Sequence, residues 1–244
     1  MHRASVGFHC PECTRGTGQR VYTARSLVTR PMLTIALVAI NLIIFVADLG
    51  SAGGTGLGDL GRDGALFGPA VADGDWWRPF TAGFIHANLI HVGFNMFLLY
   101  QLGKLLEPAI KWWGFAALYV MSLLGGSLLV LVLTPDQVTV GASGAVFGLM
   151  GATFVAMRSR GIDPFRTAIG PLIVINLLFT FFVPRVSIGG HVGGLVAGAI
   201  GGWLLWEWGP RLERGLGRRL ATAVPVAAVL ALTVVFYAAS LAIA

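Results

Sequence analysis

Charged residues are scarce in this chain of 244 residues. Asp, Glu, Lys and Arg together make up 11% of it, whereas soluble globular domains contain about 25%. Hydrophobic residues make up 56%. A soluble globular domain is therefore excluded, and lipid is expected to surround most of the chain. At this length the apolar residues predict one membrane-embedded domain.

Cysteine is also scarce, and a cleavable signal peptide is not expected. The chain has two cysteines, Cys10 and Cys13, which are too few for a disulfide framework. No cleavable signal peptide is expected, because the first long apolar run begins after Arg30, too late and too long. The net charge of +6 is spread over short segments between the apolar runs. We therefore expect no nucleic-acid partner.

Seven apolar stretches are present, and most approach the roughly 20 residues that a membrane-spanning helix needs. They lie at about residues 32–49, 84–106, 112–133, 140–157, 167–183, 188–206 and 221–244. These stretches predict an all-α fold, namely a polytopic transmembrane helical bundle. It would have a six-helix core and one further C-terminal transmembrane helix.

Lys and Arg decide the predicted orientation, because they stay on the cytoplasmic side of a membrane. With the N-terminus inside, 14 of the 17 basic residues fall in inner segments, and the outer ones are Arg62, Arg78 and Arg185. The chain is thus predicted to be a multi-pass protein of the plasma membrane, with its N-terminus in the cytoplasm and its C-terminus outside. The preference for Arg over Lys hints at a bacterial source.

Three parts are predicted along the chain. They are a cytoplasmic N-terminal segment (1–30), a six-helix membrane domain (31–208) that includes a long outer loop (50–83), and a basic linker with the seventh helix (209–244). In the first part, Cys10-x-x-Cys13 with His9 gives a weak zinc candidate, since a structural site needs four ligands. Reduced free thiols are the alternative, and no other cofactor is expected.

Four polar residues interrupt the apolar spans: His91, Asn95, Ser143 and His191. Such residues are costly in lipid, so each is a candidate for function. His91 and Asn95 share one helical face, one turn apart. The charge asymmetry puts all four in the outer halves of their spans, which predicts a single cluster.

Glycine gives a reason why the helices that carry Ser143 and His191 can touch. Small residues at about every fourth position let transmembrane backbones approach closely. They occur on the sixth span at Gly194, Gly198 and Gly202, and on the fourth span at Gly144, Gly148 and Gly151. Generic helix packing is the alternative explanation for each stripe.

Ser143 and His191 together could cleave a peptide bond. A serine hydroxyl becomes nucleophilic when a neighbouring imidazole removes its proton. No Asp or Glu lies in the outer half of a span near His191, so a dyad without an acid is predicted. The backbone N–H of Ser143 and the side chains of His91 and Asn95 are the predicted donors to the oxyanion. Gly141 would let the chain turn tightly before the serine.

Four motifs, in order, resemble those of the rhomboid family of intramembrane serine proteases. They are Trp77-Arg78, His91-x-x-x-Asn95, Gly141-Ala142-Ser143-Gly144 and His191-x-x-Gly194-x-x-x-Gly198. The resemblance implies a six-helix core, a catalytic Ser143–His191 dyad, and hydrolysis of single-span or multi-span membrane proteins near the membrane surface. It also implies an oxyanion site and supporting residues. The oxyanion set is His91, Asn95, Ala142 and Ser143, and the supporting set is Gly141, Gly144, Phe147, Trp77 and Arg78.

The chain departs from the common pattern of that family at three positions. Gly190 stands where Ala is frequent, Val186 where Gly is frequent, and Phe147 where Tyr is frequent. Phe147 keeps an aromatic face that can stack on the catalytic histidine and loses only the hydroxyl. His86 is predicted to lie about 140° around the helix from His91, which assigns it a structural or water-binding role.

Two other functions are weaker interpretations of the same residues. A catalytically silent member of the same fold would bind transmembrane segments as a chaperone, but the four polar residues are intact. A small transporter predicts polar residues in the inner halves of the spans, where the sequence has few. For Trp77 and Arg78, an aromatic anchor at the headgroup level is the alternative.

Overall fold

The computed structural model describes residues 2–3, 8–9, 30–52 and 56–243. The chain divides into two units, Met1–Arg30 and Pro31–Ala244. In the first unit, strand β1 (His2–Arg3) pairs antiparallel with strand β2 (Phe8–His9). The cysteines of the zinc prediction, Cys10 and Cys13, lie outside the described residues, so the zinc site stays a prediction.

The described part of the second unit is built from helices. In chain order these are α1 (Met32–Leu49), α2 (Asp59–Gly64), α3 (Gly68–Ala72), α4 (Arg78–Thr81), α5 (Leu89–Leu133), α6 (Ser143–Arg158), α7 (Ile169–Phe182), α8 (Ile188–Trp203) and α9 (Gly209–Ile243). Short 3₁₀ turns follow α4 and α6, and a π-helical turn, Leu204–Trp208, joins α8 to α9.

Helix α5 contains two membrane spans. Its 45 residues would measure about 68 Å at 1.5 Å per residue, more than twice the thickness of a bilayer core. Lys111 breaks it with φ 64° and ψ 165°, which separates α5a (89–110) from α5b (112–133). With this break, a helix lies on each of the seven predicted spans, and the prediction of a polytopic transmembrane helical bundle is confirmed.

Two predicted spans begin later than their apolar runs suggest. Helix α5a begins at Leu89, not at residue 84, because Asn88 caps it: its Oδ1 accepts a hydrogen bond of 2.9 Å from the backbone N–H of His91. Helix α6 begins at Ser143, not at residue 140, and Gly141 precedes it with φ 125°. Both shifts put candidate site residues at the very start of a helix.

Helices α5b, α6 and α8 form the centre of the bundle, and glycine lets their backbones meet. A Cβ atom added to Gly194 would collide with the carbonyl oxygen of Gly144, and one added to Gly198 would collide with that of Gly148. Because the contact advances in the same direction on both helices, α6 and α8 are parallel. Ser143 and His191 therefore lie at the same end of the bundle.

The outer loop is held in place by Arg78 and Trp77. Arg78 Nε donates to Asp75 Oδ2 at 2.7 Å, and its Nη1 donates to the carbonyl oxygen of Ala65 at 2.9 Å. Trp77 Nε1 donates to the carbonyl oxygen of Asp63 at 3.1 Å. These bonds fasten α4 to the chain around α2, so this pair of residues braces the loop beside the site.

At the other end of α5a, the buried carboxylate of Glu107 caps the first turn of α1. It accepts hydrogen bonds from the backbone N–H of Leu33 at 2.9 Å and from the backbone N–H and hydroxyl of Thr34 at 2.8 and 2.7 Å. Since backbone N–H groups at a helix start have no partner within the helix, this carboxylate ties α1 to α5a.

Candidate active site

Ser143 is the first residue of α6, and the sequence before it turns sharply. Gly141 reaches φ 125° and donates its N–H to the carbonyl oxygen of Ala82 at 2.9 Å. Within the described residues, neither the amide nor the hydroxyl of Ser143 has a hydrogen-bond partner. A free N–H at a helix N-terminus carries part of the positive end of the helix dipole, so Ser143 offers both a nucleophile and a donor to an anion.

His191 lies in the first turn of α8, where the Ser187 hydroxyl caps the helix by accepting from Gly190 N at 3.1 Å. Phe147, one turn after the serine on α6, stacks on the imidazole with ring centroids 4.0 Å apart and an interplanar angle of 16°. Phe147 thus lies where the sequence predicts an aromatic surface against this histidine, and its supporting role in catalysis stays a prediction.

The ring of His191 is stacked against α6 at Phe147, one turn after Ser143. Among the described residues, no hydrogen bond joins Ser143 Oγ to that ring. Hydrogen bonds between catalytic groups are often long without substrate and tighten when it binds. The dyad therefore stays a prediction, and Phe147 provides a physical link between its two members.

Thr180 on α7 is a partner of His191 that the sequence did not single out. Its Oγ1 lies 2.6 Å from His191 Nδ1, and the residue is 1% exposed. The sequence predicts a histidine without an acidic partner. In the structure, a hydroxyl contacts Nδ1, the ring nitrogen to which the acid of a catalytic triad would bind. One threonine in an apolar helix carries no signal by which it could have been found.

His91 lies next to Ser143, across Gly141. A Cβ atom built on Gly141 would lie 2.6 Å from His91 Nε2 and 3.6 Å from Ser143 Oγ, so these two atoms border the same point. A ring nitrogen in this position can carry a proton toward an oxyanion formed at the serine. The structure thus brings together two of the predicted oxyanion residues.

The sequence predicts that His86 lies on the same helix as His91, and this position is wrong. The sequence also predicts Ala142 in the oxyanion set, and in the structure its N–H already has another partner. His86 precedes α5a instead of lying on it, because Asn88 caps the helix. Its ring lies against that of His91, with centroids 5.1 Å apart, and its Nε2 accepts from the Ala142 N–H at 3.4 Å. The Ala142 amide therefore points to a histidine and not to free space beside the serine.

Asn95 is buried one turn beyond His91, as the spacing predicted. Its Nδ2 donates to the carbonyl oxygen of His91 at 3.1 Å. In the described part of the chain no hydrogen bond joins Asn95 to Ser143. An amide nitrogen has two protons, so one remains for another acceptor, and the oxyanion role of Asn95 stays a prediction.

A small cavity of about 30 Å³ adjoins Ser143. Its polar lining comes from hydroxyl groups on four segments: Ser127, Thr139, Ser143 and Ser187. A polar cavity of this size has room for water. Within the described residues there is no group of three or more His, Cys, Asp or Glu side chains that could hold a metal ion. The site contains a serine hydroxyl, an imidazole, N–H donors and space for water, which are the groups that acyl transfer to water uses.

Comparison with known proteins agrees with this geometry. The sequence matches the family model described as Rhomboid domain over residues 73–208. It is 32% identical over 198 residues to "Rhomboid protease GluP" of Bacillus subtilis (strain 168), covering 80% of this chain and 38% of that protein. It is 38% identical over 159 residues to "RHOMBOID-like protein 5" of Arabidopsis thaliana, covering 62% and 51%. It is 34% identical over 143 residues to "Rhomboid-like protease 1" of Toxoplasma gondii, covering 55% and 49%.

The chain spans about half or less of the length of these relatives. The matched segment nevertheless contains Ser143, His191, His91 and Asn95, and it makes up more than half of the chain. This integral membrane protein belongs to the rhomboid family.

Proposed function

We propose that the protein is an intramembrane serine endopeptidase that cleaves single-span or multi-span membrane proteins with a Ser143–His191 dyad. The observation that carries the proposal is the meeting of helix starts at one end of the bundle. Among the described residues, the hydroxyl and the amide of Ser143 have no hydrogen-bond partner there, His91 borders the same point, and Phe147 on the serine helix stacks on the His191 ring. Relatives named as proteases support the same activity.

In the proposed reaction, Ser143 Oγ attacks the substrate carbonyl while its proton passes to His191 Nε2. The negative charge that develops on the carbonyl oxygen is met by the Ser143 N–H and by His91. His191 then gives the proton to the leaving amine as the C–N bond breaks. Water, activated by the same imidazole, hydrolyses the acyl-enzyme and restores the serine.

The substrate must expose a carbonyl to this site. A transmembrane helix hides its carbonyls in its own hydrogen bonds, so the scissile segment has to unwind locally. We propose that cleavage occurs near the outer face of a bacterial plasma membrane, with the N-terminus of the enzyme in the cytoplasm. The count of basic residues supports this orientation.

The test compares active-site labelling with cleavage. The detergent-solubilised protein and its Ser143→Ala and His191→Ala variants are treated with a fluorophosphonate probe and assayed on several reporter transmembrane substrates. Ser159→Ala is the matched control, because Ser159 caps the opposite end of the same helix and its hydroxyl, as far as the described residues go, bonds only to the carbonyl oxygen of Ala156. We expect labelling and cleavage in the wild type and in the control, and neither in Ser143→Ala.

Two results would contradict the proposal. Labelling that persists in Ser143→Ala would show that another group reacts with the probe. A wild type that binds the reporter segments without labelling or cleavage would favour the catalytically silent chaperone instead.

A further inference from the structure

Helix α7 has an unusual burial pattern at its last turn. It is apolar, yet its neighbouring side chains Phe179 and Phe181 are 54% and 57% exposed, whereas the polar Thr180 is 1% exposed. The other buried residues of α7, Ile169 and Gly170, lie in its first turn. A hydroxyl is thus the group that this end of α7 inserts into the bundle, and it meets the His191 ring.

The hydrogen bonds of Thr180 decide which nitrogen of His191 carries the proton. Its Oγ1 lies 2.7 Å from the carbonyl oxygen of Asn176 and 2.6 Å from His191 Nδ1. A carbonyl oxygen can only accept, and a hydroxyl has one proton to donate. Both contacts are satisfied only if Thr180 donates to Asn176 and accepts from Nδ1–H.

We propose that Thr180 is a positioning residue that holds neutral His191 in the tautomer with the proton on Nδ1, an inference that rests on the proposed hydrolase function. In this tautomer Nε2 has a free lone pair and can take the proton of Ser143. When Nε2 is protonated during the reaction, Nδ1–H still donates to Thr180, so the ring keeps its orientation.

Phe147 and Thr180 divide the task of fixing the ring. The stacked phenyl ring covers a face of the imidazole and so holds its plane, but it permits a 180° rotation about the Cβ–Cγ bond, which keeps that plane and exchanges the positions of Nδ1 and Cδ2. The hydroxyl of Thr180 bonds to one edge and stops that rotation. The two together leave a single orientation, with Nε2 at the edge away from α7.

Kinetics separate this role from a purely structural one. Thr180→Val keeps the shape of the side chain and removes the hydroxyl. We expect kcat and the rate of fluorophosphonate labelling to fall about 10-fold to 100-fold, a part of the ~10²–10⁴-fold contribution of general-base catalysis, while KM stays within about twofold. Thr180→Ser should restore most of the rate, because it restores the hydroxyl.

The matched control is Thr153→Val on α6. Thr153 is also 1% exposed and its hydroxyl also bonds back to its own helix, to the carbonyl oxygen of Leu149 at 2.7 Å, but it has no histidine partner in the part of the chain that the structure describes. We expect wild-type kinetics. Equal losses in both valine variants, or an unchanged kcat in Thr180→Val, would overturn the proposal.

Nitrogen-15 NMR of histidine-labelled protein gives a readout that does not need catalysis. The chain has five histidines, and the spectrum of a His191→Ala variant assigns the His191 signals by difference. At a pH where the ring is neutral, we expect Nδ1 to be protonated and Nε2 to be bare in the wild type, and a mixture of tautomers in Thr180→Val. A wild-type ring protonated on Nε2 would refute the assignment. If the wild type shows this tautomer but no Ser143-dependent reaction, the positioning bond stands and the proposed function fails.

Discussion

Two adjacent glycines at the start of α8 should respond differently to alanine. A Cβ atom on Gly189 would lie 2.8 Å from the backbone nitrogen of Val130 and 2.9 Å from the carbonyl carbon and oxygen of Leu129. These atoms belong to the backbone of α5b and cannot rotate away. A Cβ atom on Gly190 would instead meet the Ser187 side chain at 3.1 Å and lie 3.8 Å from a methyl group of Val130.

The expected size of the effect follows from these distances. For ordinary contact at 3.4 Å, Gly189→Ala must push α8 about 0.5 Å away from α5b, and overpacking of this kind costs about 1–3 kcal/mol. His191 is two residues away. Because a misplacement of about 1 Å can cost about 100-fold in rate, we expect the labelling rate of Ser143 to fall about tenfold. Gly190→Ala should keep both stability and labelling near the wild type.

Thermal unfolding in detergent and the rate of fluorophosphonate labelling check this pair of variants. Gly93→Ala serves as a further control, because no described atom outside its chain neighbours and its own helix backbone lies within 4 Å of the added Cβ and alanine favours a helix by about 0.5–1 kcal/mol over glycine. If Gly189→Ala unfolds and reacts like Gly190→Ala, then α5b and α8 do not touch through their backbones at this point, and the argument for a backbone-defined site is refuted.

Three further changes test other parts of the structure. Gly141→Ala forces a side chain into φ 125° and toward His91, so labelling of Ser143 should fall at least about tenfold while the fold persists; unchanged labelling would contradict the turn. Glu107→Gln turns an amide NH₂ toward the N–H groups of α1, and the free energy of unfolding should fall by about 1.5–3 kcal/mol; the half-exposed Glu207→Gln is the control and should change little. Arg78→Lys cannot make the several hydrogen bonds of the planar guanidinium, so limited proteolysis should cut the outer loop faster in the variant than in the wild type. Equal digestion of the two proteins would show that Arg78 does not hold this loop in place.

The spans and the glycine contacts could be predicted from sequence because each depends on one simple property. A helix that crosses a bilayer needs a long apolar run, and the seven runs recur as helices in the structure. Close approach of two backbones needs glycine, and the predicted stripe at Gly194 and Gly198 lies against Gly144 and Gly148. Neither property depends on how distant side chains are arranged.

The position of His86 was mispredicted because hydropathy does not mark where a helix begins. The apolar run extends back to Phe84, but helix α5a begins only after Asn88, which supplies its N-terminal cap. Asn88 lies two residues after His86 and three before His91, where its side-chain oxygen reaches a backbone N–H of the first turn, and an asparagine at this spacing is a signal for a helix start. Given that cap, His86 leaves the helix and can turn toward His91.

Thr180 could not have been found in this way, since its role depends on where two helices meet. Threonine in an apolar helix bonds back to its own carbonyl in many places, as Thr153 and Thr233 do here. Only the approach of α7 to α8 gives one such hydroxyl a second partner. The sequence has no acid near His191 and carries no other signal for a third group.

The backbone contact between α6 and α8 fixes the relative position of the two helices that carry the proposed dyad. Lipid provides no hydrophobic force to press helices together, so their spacing depends on direct packing. Where glycine meets glycine, no side chain can change rotamer and alter that spacing. Ser143 and His191 lie at helix starts whose relative position is fixed by direct backbone contact. Phe147 on α6 stacks on the imidazole and so fixes the plane of that ring. In the proposed site, the single contact between Thr180 Oγ1 and His191 Nδ1 is then enough to choose between the two ring orientations that a 180° turn about Cβ–Cγ relates, so that threonine fixes the ring without a carboxylate.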